Sequence, residues 1–207
     1  MELDAFDFSL TDPLHEHLAL DFANTTPYHF DLSEDHLNGY ADLLSWSLNV
    51  QLLTEDEVQR LLERASSQPE TAEAVLDRAV RLREAIFNIF SSLTRDENPD
   101  AQDLETFHAT LSEAMTHMQL VQKADGFQWG WLHTDDHLDQ MLWPVAWSTA
   151  QLLRSDERKL VKQCEADDCE WLFLDTSRNH SRRWCDMKTC GNRAKARRYY
   201  RRSKDTT

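Results

Sequence analysis

A chain of 207 residues, 41% hydrophobic with seven tryptophans, fits one medium domain plus an appended module, or two small domains. It has no run of about 18 apolar residues, so no helical membrane span is expected, and Met1 to Leu20 carries acids and histidines where a secretory leader would be basic and then apolar. The formal charge of −15 argues against a nucleic-acid partner only until it is divided: residues 1–175 hold 11 Lys and Arg against 35 Asp and Glu, a net of −24, whereas residues 176–207 hold 11 against 2, a net of +9.

In chain order, Leu18 to Thr25 reads as a short buried strand ending in a polar turn, interrupted by Pro27. Leu37, Tyr40, Leu43, Leu44 and Leu48 recur at helical spacing and predict a helix over 36–48. Thr54 and Glu57 form a capping box ahead of Val58, Leu61, Leu62 and Ala65. After Pro69 the strongest helix begins, with Ala72, Val75, Leu76, Ala79, Leu82, Ile86, Ile89, Phe90 and Leu93 on one stripe and charges opposite. Another helix is expected from Ala101 to His117 through Leu104, Phe107 and Leu111. The pattern then changes. Leu120 to Ala124 and Phe127 to Trp131 flank Asp125-Gly126, a hairpin signal. A last helix, 136–153, carries Leu138, Met141, Leu142, Val145, Ala146, Ala150 and Leu153. Composition switches near Asp156, which divides the chain into residues 1–156 and 157–207.

The four cysteines all lie beyond that switch. Cys164, Cys169, Cys185 and Cys190 read C-x4-C, fifteen residues, then C-x4-C. Two thiol pairs, each from one tight turn, form the tetrahedral donor set of a divalent metal, and four sulfurs leave no open position, so one structural Zn²⁺ is expected. A pair of disulfides is the competing reading, disfavoured in a reducing cytosol, which is the expected location. His180, between the pairs, is an alternative ligand. Trp171, Phe173 and Trp184 are the candidate core of a module too small to fold readily without its metal. The fold class is therefore α+β: a mainly α-helical body with a small β-hairpin element, plus a C-terminal four-cysteine zinc module ending in a basic helix.

After Cys190, Gly191 permits a sharp turn and Asn192 reads as a helix N-cap, with the remainder to Lys204 helical. Arg197 and Arg201 are i,i+4 neighbours, as are Arg198 and Arg202, and their repulsion would be relieved by a polyanion. A second basic cluster, Arg178, Arg182 and Arg183, lies between the cysteine pairs. Guanidinium forks suit phosphates and the guanine edge. The candidate DNA contacts are thus Arg178, Arg182, Arg183, Arg193, Lys195, Arg197, Arg198, Arg201 and Arg202, against the plainer reading of a solvated charged tail.

Cys190-Gly191-Asn192-Arg193, the preceding run from Trp171 through Asp175 to Asn179, Arg182 to Met187, and the run from Arg193 to Tyr200 together resemble the CGNR zinc finger over about residues 160–203. Leu20-Asp21-Phe22-Ala23-Asn24-Thr25, with Leu82 to Ala85, resembles the ABATE domain that precedes this finger. The resemblance implies a bacterial, stress-induced transcription regulator whose finger binds DNA.

Other constellations are weaker. Asp21, Asn24 and Thr25 either line a small-molecule site or cap the local backbone. Arg83 and Glu84 either reach a pocket or form a solvated face or ion pair. His15 and His17, two apart, point to opposite faces of a strand and make a poor metal pair. No P-loop, G-x-G-x-x-G or G-x-S-x-G occurs, and an enzyme is not expected. The leading expectation is a DNA-binding regulator with no membrane association, whose acidic body senses a small-molecule effector or forms a homodimer. The rivals are an RNA-binding module in which Tyr199 and Tyr200 stack on bases, a small-molecule-binding protein or enzyme with an accessory finger, and a zinc module that binds an acidic protein. The opposed charges of body and tail also predict autoinhibition.

Overall fold

A 26-residue helix, α4 (Pro69–Thr94), is the spine of the computed structural model, which describes residues 17–26, 35–123, 126–131 and 137–197. Pro69 suits its first turn, where an N–H would have no helical partner. Ala72, Val75, Ala79, Leu82, Ile86, Ile89 and Phe90 are buried along one stripe, as their spacing predicts. Packed against α4 are α1 (Leu18–Ala23), α2 (Tyr40–Asn49), α3 (Glu55–Ser67) and α5 (Ala101–Thr116), while α6 (Leu142–Arg154) packs on α5 and α1.

The helix ends follow local hydrogen-bond chemistry. The Thr54 capping box forms as expected: Glu57 N–H donates to Thr54 Oγ1 at 3.3 Å, and Thr54 N–H donates to Glu57 Oε2 at 2.7 Å. Helix α2 starts later than position 36, because the Asp42 carboxylate accepts from the N–H groups of Asn38 (3.0 Å) and Gly39 (2.9 Å) and fixes the start there. Helix α6 also starts late, with Leu138 and Met141 in the preceding turn. Pro144 sets this limit, since a helix begun near 136 would carry its ring in the interior. Positions 132–136 lie outside the described residues.

The segment expected to be a strand is helical. In α1 the buried residues are Ala19, Leu20, Phe22 and Ala23, a one-face helical pattern, and it packs chiefly on the helices α4 and α6. The hairpin is present as β1 (Met118–Lys123) and β2 (Gly126–Trp131), antiparallel, with Leu120 opposite Trp129 and Lys123 opposite Gly126. That register makes Gly126 a strand residue, at φ 143°, and places the two-residue connection at 124–125, outside the described residues.

Beyond α6, a 3-10 turn (Asp156–Leu160) leads into β3 (Val161–Gln163), which pairs antiparallel with β4 (Leu172–Leu174). Strand alternation splits this small sheet between two cores. Val161, Leu172 and Leu174 join the main helical core, whereas Phe173 joins a second cluster with Cys164, Cys169 and Cys190. Among the described residues, no helix is long and apolar enough to cross a membrane.

Candidate metal centre and basic surface

The first cysteine pair brackets a knuckle on the β3–β4 sheet. Cys164 follows β3, its N–H donating to the Trp171 carbonyl at 2.9 Å, and Cys169 closes a turn by donating to Ala166 O at 3.1 Å. The second pair begins where Cys185 N–H donates to Cys164 Sγ at 3.4 Å. Asp186 then caps a π-type turn (Met187–Gly191), its carboxylate accepting from Lys188 N at 3.2 Å and Thr189 N at 2.9 Å.

The turn brings Cys190 to the cluster. The four sulfurs all lie within 4.8 Å of one another, with Cys169–Cys185 at 3.7 Å and Cys185–Cys190 at 3.6 Å. A tetrahedron with Zn–S arms of about 2.3 Å has edges of about 3.8 Å, so the donor set fits zinc. All four cysteines are free, and these separations are far beyond the roughly 2 Å of a disulfide, which overturns the disulfide alternative. His180 stands apart: its Nδ1 lies 2.9 Å from the Asp175 carbonyl, and its backbone is left-handed at φ 46°. Hydrogen bonds from Cys169 and Cys185 hold the Cys164 thiol far below the ordinary thiol range, while contact with Cys164 pushes Cys185 up.

Each residue of the Cys190 to Arg193 motif has a local task. Cys190 supplies a sulfur. Gly191 admits Met187, whose Sδ would lie 3.0 Å from an added Cβ. Asn192 is not the N-cap but lies within helical backbone, and its amide donates to Lys188 O at 2.9 Å. Arg193 is ion-paired to Asp168 of the first knuckle. The motif thus locks the two knuckles together, and residues 192–197 continue as helix.

Asp175 is the hub of the loop between the pairs. It is fully buried and accepts from Lys162 Nζ at 2.5 Å, Ser177 Oγ at 2.5 Å and Arg182 N–H at 2.9 Å. Burial pushes its carboxyl up, but these donors more than offset burial and leave its pKa lowered.

The nine expected DNA contacts therefore divide. Arg182 turns inward, donating to the carbonyls of Trp184 (2.9 Å) and Cys185 and lying over the Phe173 ring at 4.7 Å. Arg193 is a half-buried strut. Arg183 donates to Glu165 Oε2 at 2.6 Å on the surface, and Arg197 bonds Asp168 at 2.8 Å, half-buried, and Asp167 at 3.4 Å, exposed. Arg178 and Lys195 are exposed. Arg198, Arg201 and Arg202 lie outside the described residues. The acids of the first knuckle, Glu165, Asp167 and Asp168, are partners that sequence reasoning missed; their signal was the Glu-Ala-Asp-Asp spacer of the first C-x4-C.

The expected ligand residues divide too. Asp21, Asn24 and Thr25 line an open cleft of about 590 Å³ with Asp42, Trp46 and the module's Trp171. Asn24 is committed structurally: its amide donates to Leu172 O at 2.8 Å and accepts from Leu172 N–H at 2.9 Å, pinning β4 to the end of α1. Arg83 is 2% exposed and holds Asp35 through both terminal nitrogens, at 2.5 and 2.7 Å, while Glu84 is exposed. His17 lies 3.4 Å from Glu157, and His15 is outside the described residues.

A four-sulfur centre that fixes an arginine-bearing helix on a two-stranded knuckle defines a zinc-finger protein. Residues 161–203 match the CGNR zinc finger, and residues 16–156 match ABATE, a family described as "Putative stress-induced transcription regulator". The chain belongs to the ABATE family. No curated protein matches it.

Proposed function

We propose that the protein is a DNA-binding transcription regulator in which residues 157–207 form the zinc-held finger and residues 1–156 sense an effector or pair copies. One zinc ion per chain is held by Cys164, Cys169, Cys185 and Cys190. With four protein ligands and no open position, its role is to fix the two knuckles. The observation that carries this reading is the arginine-bearing helix at residues 192–197, anchored through Cys190 and Arg193, with Arg198, Arg201 and Arg202 following it in the sequence. Phosphates are met by Arg178, Lys195 and the helix arginines, whereas Arg182 and Arg193 act from inside by holding the helix in place.

Autoinhibition is local in this arrangement. Asp167 occupies Arg197 and Glu165 occupies Arg183, each on the surface, where an exposed ion pair is worth only about 0.2–1 kcal/mol. A DNA phosphate displaces such a carboxylate at small cost. Working on DNA, the protein acts in the cytoplasm at the nucleoid.

Filter binding of the zinc-loaded chain to duplex DNA across a salt series tests the reading. Neutralising about six phosphates gives a log–log slope of roughly −5. Binding that ignores salt, or that prefers single-stranded RNA in competition, overturns it.

A further inference from the structure

The β1–β2 hairpin carries an apolar face that leaves the core and continues into solvent. Opposed residues share a face, so Met118, Leu120 and Gln122 lie beside Trp131, Trp129 and Phe127. At the base, Trp131 is 3% exposed and packs with Ala114 and Trp143, with Met118 against the same cluster. Further out on that face, Trp129 is 48%, Leu120 55% and Phe127 65% exposed, and Met115, at the end of α5, is 46% exposed. Among the described residues neither strand pairs with any third strand. Scattered exposed apolar residues are ordinary; two aromatics and a leucine adjacent on one rigid face mark an interaction site.

Charge selects the occupant. Residues 118–131 contain one lysine and one aspartate, a neutral patch on a body of net −24. A nucleic acid or an anionic membrane would meet that body's field without any cluster of cations at the hairpin to hold it. A neutral aromatic and aliphatic face is, by contrast, complementary to itself under a twofold axis, where each leucine meets the other copy's rings.

We infer that this face, centred on Leu120, Phe127 and Trp129, is where a second copy of the chain docks, making a homodimer that carries two fingers. Size sets its strength. A stable interface buries about 800 Å² per partner, and two half-exposed aromatics of roughly 150–250 Å² each supply only its centre. The dimer is therefore reversible and concentration-dependent. This assignment deepens the proposed role of the N-terminal domain, but it is tested without DNA and so fails or stands apart from the DNA-binding reading.

The experiment is sedimentation equilibrium of the full zinc-loaded chain from about 1 to about 100 μM, the range in which a small interface associates. The wild type should shift from monomer to dimer mass. Phe127→Glu with Trp129→Glu should remain monomeric throughout, and Trp129→Phe should retain the dimer, with zinc content and the thermal melt showing that each variant is folded. A wild type that is monomeric across the range overturns the inference, as does a folded double variant that dimerises like the wild type. Binding of the hairpin face to anionic vesicles or single-stranded DNA by a monomeric wild type, abolished in the double variant, overturns it in favour of those partners.

Discussion

At the scale of single residues, one carboxylate separates two roles for the basic side chains. Asp168 is 29% exposed and holds Arg193 and Arg197 together, while Asp167 is 63% exposed and lies 3.4 Å from Arg197. Removing Asp167 leaves the Asp168 pairing that ties Arg193 and Arg197 to the knuckle and takes one exposed carboxylate away from Arg197. Asp167→Asn is therefore expected to tighten duplex binding about 1.5- to 5-fold, the equivalent of one exposed pair, with the melting temperature unchanged. Asp168→Asn should lower the stability of the finger and weaken binding, because Arg193 loses its anchor. Paired fluorescence-anisotropy titrations and thermal melts check both. Equal gains in affinity from the two variants would show that Arg193 is a surface contact and not a strut. The competition was written in the sequence as an acidic spacer and a basic tail, but a separation of 25 residues between Asp168 and Arg193 hides it from any local pattern.

At the scale of elements, legibility followed length and redundancy. Helix α4 repeats its apolar stripe over 26 residues, and the Thr54 box uses two reciprocal hydrogen bonds, so both were readable. Helix α1 is six residues long, too short for helix and strand periods to separate, and its helical state depends on packing against α4 and α6. The cysteine spacing pointed to the four-sulfur cluster that the fold assembles, whereas the cap of the last helix lies at Asp186 and not at Asn192, because Asn192 bonds a carbonyl behind it and not an N–H ahead. The β3–β4 sheet sets the consequence of metal loss. Val161, Leu172 and Leu174 are held by the main core, while the distal cluster is mostly cysteine. Chelation of zinc should therefore release the second knuckle and the helix after Met187 while leaving β3–β4 and the body folded. Hydrogen exchange with and without chelator checks this: protection should fall over residues 185–197 and persist at 172–174. Loss across the whole chain would make the metal a keystone of the body as well.

At the scale of the whole molecule, the finger is rooted in the acidic body and not strung beside it. The composition break near Asp156 suggests separable halves, yet Leu172 is 1% exposed in the helical core, and the Asn24 amide grips its backbone in both directions. Cutting the chain at 157 would bare Val161, Leu172 and Leu174, so any influence of the body on the finger is better probed in the intact protein. Shared burial also makes a mechanical link. The cleft of Asp21 and Trp46 reaches the finger's Trp171, so anything that moves α1 also moves β4. Body and β3–β4 should accordingly unfold together, giving one calorimetric transition in the zinc-loaded protein. Asn24→Ala deletes both hydrogen bonds to Leu172 and should cost about 1–3 kcal/mol. Leu172→Ala should cost about 2–5 kcal/mol through the cavity it leaves. In both variants the finger, still held by its metal, should separate as a second transition with zinc content preserved. If a single transition persists in Leu172→Ala, the linkage runs through other contacts, and the grip of Asn24 on β4 is not the joint by which the N-terminal domain addresses the finger.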